Sequence, residues 1–227
     1  MPEVHRQESD FMTDDKSERT AGILLLLTAL ASLALLAAHP GETATTFAGV
    51  LKEEVANRSV AGPVHGGYIA VLVLQIIGYA KLSARLDLRR LLPLAGIVFF
   101  AAGTVFLSAS LLLDGLVIPA LAARYADVPA KIESARALFV FCETAIGFLM
   151  PIGLVFQGAA IASWGAALWR RSRIAGAIGV LFGFLMLGAL TANLARPNPV
   201  FLMGSLIAPM LWAFVAAWLL IRRNTAE

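Results

Sequence analysis

The chain has 227 residues, of which 59% are hydrophobic and only 15% are charged, and its formal net charge is +3. Soluble domains carry about a quarter charged residues, so this composition excludes an ordinary water-soluble globule and predicts a chain that uses lipid as part of its solvent. The basic residues cluster between apolar runs and form no basic face with interleaved aromatic residues, which argues against nucleic-acid binding.

The first 20 residues are polar and rich in acids, so they predict a disordered cytoplasmic tail. The apolar run 22–38 that follows has 17 residues, just enough to cross a bilayer. The small residues Ala37 and Ala38 leave a cleaved signal peptide as an alternative. An acidic tail is unlike the short basic start of a signal peptide, and this favours an uncleaved first span.

Five further apolar runs follow, each ended by charges or by proline and glycine. Their apolar residues are continuous rather than alternating, which predicts helices rather than barrel strands. The sequence therefore predicts an all-α polytopic membrane protein, with one transmembrane domain over residues 21–223 and a short cytoplasmic tail over 224–227. The six predicted transmembrane helices cover about residues 22–38, 65–84, 91–115, 140–169, 174–195 and 199–221.

The distribution of lysine and arginine predicts the orientation. Twelve of them lie in the tail, the second and fourth connections and the C-terminus, whereas six lie in the other connections. The short turns DLRR and WRRSR carry most of this excess. Positive residues stay on the cytoplasmic side, so both termini are predicted to be cytoplasmic.

The outer connections are longer and carry structure of their own. Phe47, Val50, Leu51 and Val55 share one helical face and predict a short amphipathic helix on the outer interface. The third and fourth apolar runs exceed one bilayer, since 33 residues of helix from 91 to 123 measure about 50 Å against about 30 Å of hydrocarbon. Their outer ends are therefore predicted to project as a hairpin that the amphipathic helix caps.

Several polar residues share one height. At about 1.5 Å per residue, the distance from the basic residues at the inner end of each span is about 30 to 40 Å for His39, His65, Asp114, Glu143 and Asn193, which places them at or just above the outer edge of the hydrocarbon. In an outer polar site, His65 would act as a proton acceptor or metal ligand, with Asp114 and Glu143 as carboxylate partners and Arg196 for an anionic group. The alternative is that polar residues simply appear where water begins. The candidate outer site comprises His65, Asp114, Glu143, Asn193 and Arg196.

The middle of the spans carries no charge. Gln75 and Gln157 are its strongest polar groups, and they define a candidate mid-membrane path. An ion-coupled carrier would place an acid at this depth, and a b-type haem would need two facing histidines. The single Cys142 excludes a disulfide within the chain and a cysteine-based metal cluster. No cofactor and no metal is therefore predicted.

Glycine spacing in the later spans predicts close helix packing. Gly179 and Gly183 lie four residues apart, which lets helices approach closely. The predicted use is packing within the chain, with a homo-oligomer through these faces as the alternative. The remaining predicted partner is the lipid bilayer.

The segment Gly153–Phe184 resembles a family of uncharacterised six-helix bacterial membrane proteins, a domain of unknown function. The resemblance rests on Phe156-Gln157-Gly158, Arg171-Ser172 and Gly179, whereas Ala175 and Gly176 depart from the family pattern. It implies six helices and a bacterial plasma (inner) membrane, and it implies no activity.

Three function classes follow from these observations. The leading prediction is a non-enzymatic multi-pass protein that binds a small or lipidic ligand, or a partner, near its outer face. The first alternative is a small transporter or channel along Gln75 and Gln157. The second is an intramembrane enzyme or redox carrier that uses His65, Asp114 and Glu143.

Overall fold

The computed structural model describes the backbone of residues 2–41, 43–195 and 199–222, and side-chain surroundings within residues 15–41, 43–128, 130–188, 190–191 and 204–222. All regular structure in these ranges is helical, which confirms the all-α prediction. The α-helices are α1 (Pro2–Ala37), α2 (Phe47–Arg85), α3 (Leu91–Leu112), α4 (Ile118–Tyr125), α5 (Ile132–Leu168), α6 (Arg173–Ala195) and α7 (Pro199–Ile221).

Two short elements complete the part of the chain that the structure describes. A π-helical turn, Leu113–Val117, joins α3 to α4 without a break, and a 3-10 turn, Pro129–Lys131, precedes α5. Among the described residues, five helical segments are long and apolar enough to cross a membrane, and the described part of α6 adds the apolar stretch Arg173–Gly188. The five segments are Asp15–Ala37, Phe47–Arg85, Leu91–Tyr125, Ile132–Leu168 and Gly204–Ile221.

The long helices form a ring in chain order. Each packs against the next, from α1 to α2, α3, α5, α6 and α7, and α7 packs back against α1. Short connections between long helices favour this antiparallel arrangement. One end of the ring carries the arginine-rich turns after α2 and α5 and is called the basic end here. The opposite end carries His65 and is called the His65 end.

The interior toward the basic end is filled by aromatic side chains. Tyr79 of α2 stacks on Trp164 of α5 with ring centroids 4.6 Å apart, and Phe100 of α3 lies 4.5 Å from Tyr79. The indole N–H of Trp164 donates to Ser83 Oγ at 2.8 Å. All three rings are at most 1% exposed, so this half of the bundle is tightly packed.

Arg85 ties three helices together at the basic end. Its guanidinium lies 3.1 Å from Glu18 of α1 and donates to the carbonyl of Leu219 of α7. Arg171 donates in turn to the carbonyl of Arg85. The last turn of α2 is thereby fixed to the first and last helices of the ring.

Helices α5 and α6 approach until their backbones touch. A Cβ added to Gly179 would lie 2.7 Å from the Cα of Gly165, and one on Gly183 would lie 2.7 Å from the backbone nitrogen of Ala162. The predicted close packing at Gly179 and Gly183 is therefore intramolecular. Self-association through these faces stays a prediction, and it would require the two helices to separate.

The structure departs from the predicted boundaries near the N-terminus. Helix α1 begins at Pro2, inside the segment predicted to be a disordered tail. Helix propagation adds one hydrogen bond per residue once a nucleus exists, and the apolar helix after residue 20 supplies that nucleus. The mixed charges of the tail contain no proline or glycine after Pro2 to stop it.

The predicted separate amphipathic helix is wrong in its boundaries. Residues 47–64 are the first turns of α2, which continues through Pro63 without a break to Arg85. Part of the predicted apolar face is nevertheless packed against other helices. Leu51 is buried with Ile118 and Phe139, and Phe47 packs on the same cluster, whereas Val55 is 40% exposed. The first turns of α2 therefore pack against α4 and the start of α5.

Candidate functional site

His65 lies in α2 with its side chain buried. Its Nδ1 is 2.7 Å from the carbonyl oxygen of Ala61, one turn earlier in the same helix. A carbonyl oxygen can only accept, so Nδ1 carries the proton and donates. This hydrogen bond fixes the orientation of the ring, so that Nε2 points away from the Ala61 carbonyl.

Asp114 meets that nitrogen from the π-helical turn. Its Oδ2 lies 3.0 Å from His65 Nε2, and its side chain is 32% exposed. The neighbouring residue, Gly115, makes this approach possible, because a Cβ added there would overlap Cβ and Cγ of His65. A π-helical turn holds one more residue than an α-helical turn and occurs frequently at functional sites. Here it presents Asp114 while its glycine faces His65.

His39 joins the pair from the connection after α1. Its ring lies edge-on to that of His65, with the centroids 5.0 Å apart, and its Nδ1 donates to the carbonyl of Pro40 at 2.9 Å. One nitrogen from each ring and one Asp114 oxygen all lie within 4.8 Å of one another. Two histidines and an aspartate from three separate elements therefore converge at the His65 end.

A carboxylate on α2 holds the connection that carries His39. Glu53 accepts hydrogen bonds from the backbone N–H of Thr43 at 3.0 Å, from that of Ala44 at 2.9 Å and from the Thr43 hydroxyl at 2.9 Å. Thr46 then caps α2 by accepting from the Gly49 N–H. These contacts fix the end of the connection and leave His39 itself exposed.

A cavity of about 120 Å³ extends from this site into the bundle. His39, His65 and Asp114 line one end, and Gln75 and Gln157 line the wall deeper in. The other lining residues are Ser32, Leu36, Tyr68, Leu72, Leu107, Leu111, Met150, Leu154, Leu206, Pro209 and Met210. Most of the wall is therefore apolar.

The deep end of this cavity holds an unpaired amide. The Nε2 atom of Gln157 is buried and has no hydrogen-bond partner among the described residues, and the same holds for Thr104 Oγ1. Buried polar atoms without partners are rare in native proteins and call for an explanation such as a water or a ligand. Beyond this level the packed rings of Tyr79, Phe100 and Trp164 occupy the interior.

A second, larger cleft of about 390 Å³ opens at the His65 end. It shares Asp114 and Met150 with the cavity, and it adds the acids Glu54 and Glu143. Its remaining lining residues are Val50, Ile118, Phe139, Ile146, Gly147 and Pro151. Within the described part of the chain, neither space is lined by a lysine or an arginine. Apart from His39 and His65, the charged side chains that line them are therefore all acids.

The structure joins some of the predicted site residues and not others. His65 and Asp114 contact each other directly, whereas Glu143 is exposed and faces the cleft beside Asp114. Gln75 and Gln157 share one cavity wall, which also contains the His65–Asp114 pair. Asn193 lies in α6 with its side chain outside the described residues, and Arg196 lies outside them altogether.

His39 is the site residue that the prediction left out. Counting 20 residues from Arg19 placed it at the same height as His65. That shared height was the signal that could have included it.

Comparison of the chain with protein-family models, with curated proteins and with solved structures finds no match. The resemblance of residues 153–184 to uncharacterised six-helix proteins gains no support from these comparisons. The function must therefore be argued from the site itself.

Proposed function

We propose that the chain is a six-span protein of the bacterial plasma (inner) membrane with both termini cytoplasmic. Five helices long and apolar enough to span support this, and α6, which packs between α5 and α7, is the remaining helix of the six-membered ring. The excess of arginine at the basic end supports a cytoplasmic position for that end. The His65 end then faces outward.

In this position the protein binds a small amphipathic amine. The single observation that carries the proposal is that Asp114 lies in the wall shared by an apolar cavity and an acidic cleft. The apolar part of the ligand would occupy the cavity, and its ammonium group would lie at Asp114. Binding sites of this type combine mostly apolar walls with a few placed polar groups.

The size of the cavity limits the apolar part of the ligand. Its volume of about 120 Å³ is similar to apolar cavities of about 150 Å³ that bind benzene. Transfer of such a group from water is favourable by about 25 cal/mol per Å² of apolar surface. Glu143 in the adjoining cleft favours a cationic end over an anionic one.

A matched pair of probes tests this proposal. Benzylamine and benzoate carry the same ring with opposite charges, and their binding can be measured as ligand-dependent thermal stabilisation of the protein in nanodiscs with EDTA present. We expect stabilisation by benzylamine and little by benzoate. Asp114→Asn should weaken benzylamine binding by about 10-fold or more, because a charge-assisted hydrogen bond is lost.

The exposed acid Asp127 supplies the control for this experiment. Asp127→Asn removes a carboxylate from the connection after α4, away from both spaces, and should leave benzylamine binding unchanged. Equal stabilisation by both probes, or equal binding in the wild type and Asp114→Asn, would contradict the proposal.

Transport is the second candidate, because the cavity reaches Gln75 and Gln157 midway along the bundle. A path would have to continue past Tyr79, Phe100 and Trp164, whose rings fill the interior beyond that level. Uptake of benzylamine into proteoliposomes, measured against protein-free vesicles, separates the two candidates. Binding predicts no protein-dependent uptake, and transport predicts saturable uptake.

A further inference from the structure

Both histidines at the site are hydrogen-bonded through the same nitrogen. His65 and His39 each have Nδ1 hydrogen-bonded to a backbone carbonyl, of Ala61 and Pro40 respectively. In neutral rings Nδ1 then carries the proton, and Nε2 carries the free lone pair. Histidines that bind metals are typically fixed in this way, with the second ring nitrogen donating to a carbonyl or carboxylate.

The neighbour of His65 Nε2 is also an acceptor. Asp114 Oδ2 lies 3.0 Å from it, and an ionised carboxylate has no proton to donate. Two lone-pair atoms this close require either a proton between them, carried by His65 or by Asp114, or a metal cation that both atoms bind.

The spacing fits a metal cation. Zinc binds imidazole nitrogen and carboxylate oxygen at about 2.0 to 2.2 Å, so two ligand atoms on one tetrahedral ion lie about 3.3 Å apart. His65 Nε2 and Asp114 Oδ2 are already near this separation. The third ligand atom, from His39, lies within 4.8 Å of both.

His39 has to move by at most about 1.5 Å, the difference between 4.8 Å and the separation expected for zinc ligands. It is exposed and lies in an irregular connection, so its ring and the Pro40 carbonyl that it contacts can shift together without disturbing a helix. His65 and Asp114, by contrast, are fixed by the Ala61 hydrogen bond and by the contact at Gly115. Two ligands are therefore in place and the third is adjustable.

We infer that His39, His65 and Asp114 bind one divalent transition cation, with Zn²⁺ as its representative. This metal site goes beyond the binding of an amphipathic amine. Two imidazoles and one carboxylate suit zinc and its transition-metal neighbours, whereas calcium and magnesium prefer all-oxygen sites. Three protein ligands leave one position open, as in catalytic rather than structural zinc sites. That position would face the cavity and the cleft, whose shared wall contains Asp114.

The test is Zn²⁺ titration of detergent-purified protein by calorimetry. The protein carries no polyhistidine tag and is first treated with EDTA, which is then removed by dialysis. We expect one Zn²⁺ per chain. His39→Ala should reduce the affinity at least about 10-fold, because even loss of a residue that only orients a ligand costs 10- to 100-fold. Asp114→Asn should do the same.

His39→Ala is the decisive variant because it removes an exposed side chain and leaves the His65–Asp114 contact in place. Its melting temperature without metal should equal that of the wild type. Two control variants should bind Zn²⁺ like the wild type. His5→Ala removes the third histidine of the chain, and Asp127→Asn removes an exposed acid.

Three results would overturn the inference. These are no binding by the wild type, unchanged affinity in His39→Ala, and an affinity that falls equally in His5→Ala. The first would leave a proton, rather than a metal, between His65 and Asp114, and the other two would mean that the three residues do not form the Zn²⁺ site together. Benzylamine binding is measured with EDTA present, so failure of the metal site and failure of the amine site give separate results.

Discussion

His65 Nε2 lies 3.0 Å from Asp114 Oδ2, although 49 residues separate them in the chain. The contact joins α2 to the π-helical turn after α3. It depends on Gly115, whose missing side chain leaves room for the His65 ring. The position of the Asp114 carboxylate in the cavity wall therefore depends on one glycine and one irregular helical turn.

Gly115→Ala should therefore disrupt the site. The added Cβ would overlap Cβ and Cγ of His65. Both helices are held by their packing, so the overlap should lower the free energy of unfolding by about 1 to 3 kcal/mol. We expect a lower melting temperature in detergent and weaker binding of benzylamine.

The matched control for Gly115→Ala is Gly66→Ala, next to His65 in α2. A Cβ there meets nothing within 4 Å, and alanine is the better helix former. The melting temperature of this variant should be unchanged or slightly higher. Equal behaviour of the two variants would show that Gly115 does not face His65.

Zn²⁺ and benzylamine should oppose each other. Both are placed at Asp114, so a bound divalent cation repels the ammonium group and occupies its acceptor. We expect the benzylamine dissociation constant to rise when Zn²⁺ is present. Thermodynamic reciprocity requires benzylamine to weaken Zn²⁺ binding by the same factor. Independent binding of the two, with unchanged constants, would place them at different sites.

The aromatic packing predicts a stability effect at Ser83. Its hydroxyl is the acceptor for the buried indole N–H of Trp164, and Ser83→Ala would leave that donor without a partner. We expect a loss of about 1 to 3 kcal/mol in the free energy of unfolding, measured by denaturation in detergent.

Ser163 provides the comparison for Ser83. Its hydroxyl donates only to the carbonyl of Ala159 in its own helix, and that carbonyl keeps its place in the helical backbone. Ser163→Ala should change the unfolding free energy by less than about 0.5 kcal/mol. A Ser83→Ala variant as stable as Ser163→Ala would argue against the Trp164 hydrogen bond.

The proposed orientation predicts which end of the bundle is accessible from outside the cell. In a Cys142→Ala background, a cysteine at Ala130 should react with a membrane-impermeant maleimide in intact cells. A cysteine at Arg170 should react only after permeabilisation. Both positions are exposed, so accessibility within the fold is matched. The reverse pattern would invert the proposed topology.

The sequence predicted the helices because long apolar runs leave little choice of structure. It also placed His39, His65 and Asp114 at one height, because helical rise converts residue number into distance. Height alone does not show which sides of the helices face one another. The His65–Asp114 contact depends on helix rotation, and Glu143 at a similar height faces the cleft instead.

Two features lay beyond what periodicity can show. The π-helical turn at Leu113–Val117, which contains Asp114, holds one more residue than an α-helical turn. No residue pattern in that apolar run marks this turn. The continuation of α2 through Pro63 is the second. Proline normally ends or kinks a helix, and packing of Leu51 against Ile118 and Phe139 holds the preceding turns in place.

The most direct test of the central claim fills the cavity itself. Leu111 lines the cavity, whereas its neighbour Leu112 is 45% exposed and does not. Benzylamine affinity is measured in nanodiscs with EDTA for Leu111→Trp and Leu112→Trp. If the cavity beneath Asp114 binds the apolar part of the ligand, Leu111→Trp abolishes binding and Leu112→Trp leaves it unchanged. Retention of full affinity by Leu111→Trp would contradict the proposed site.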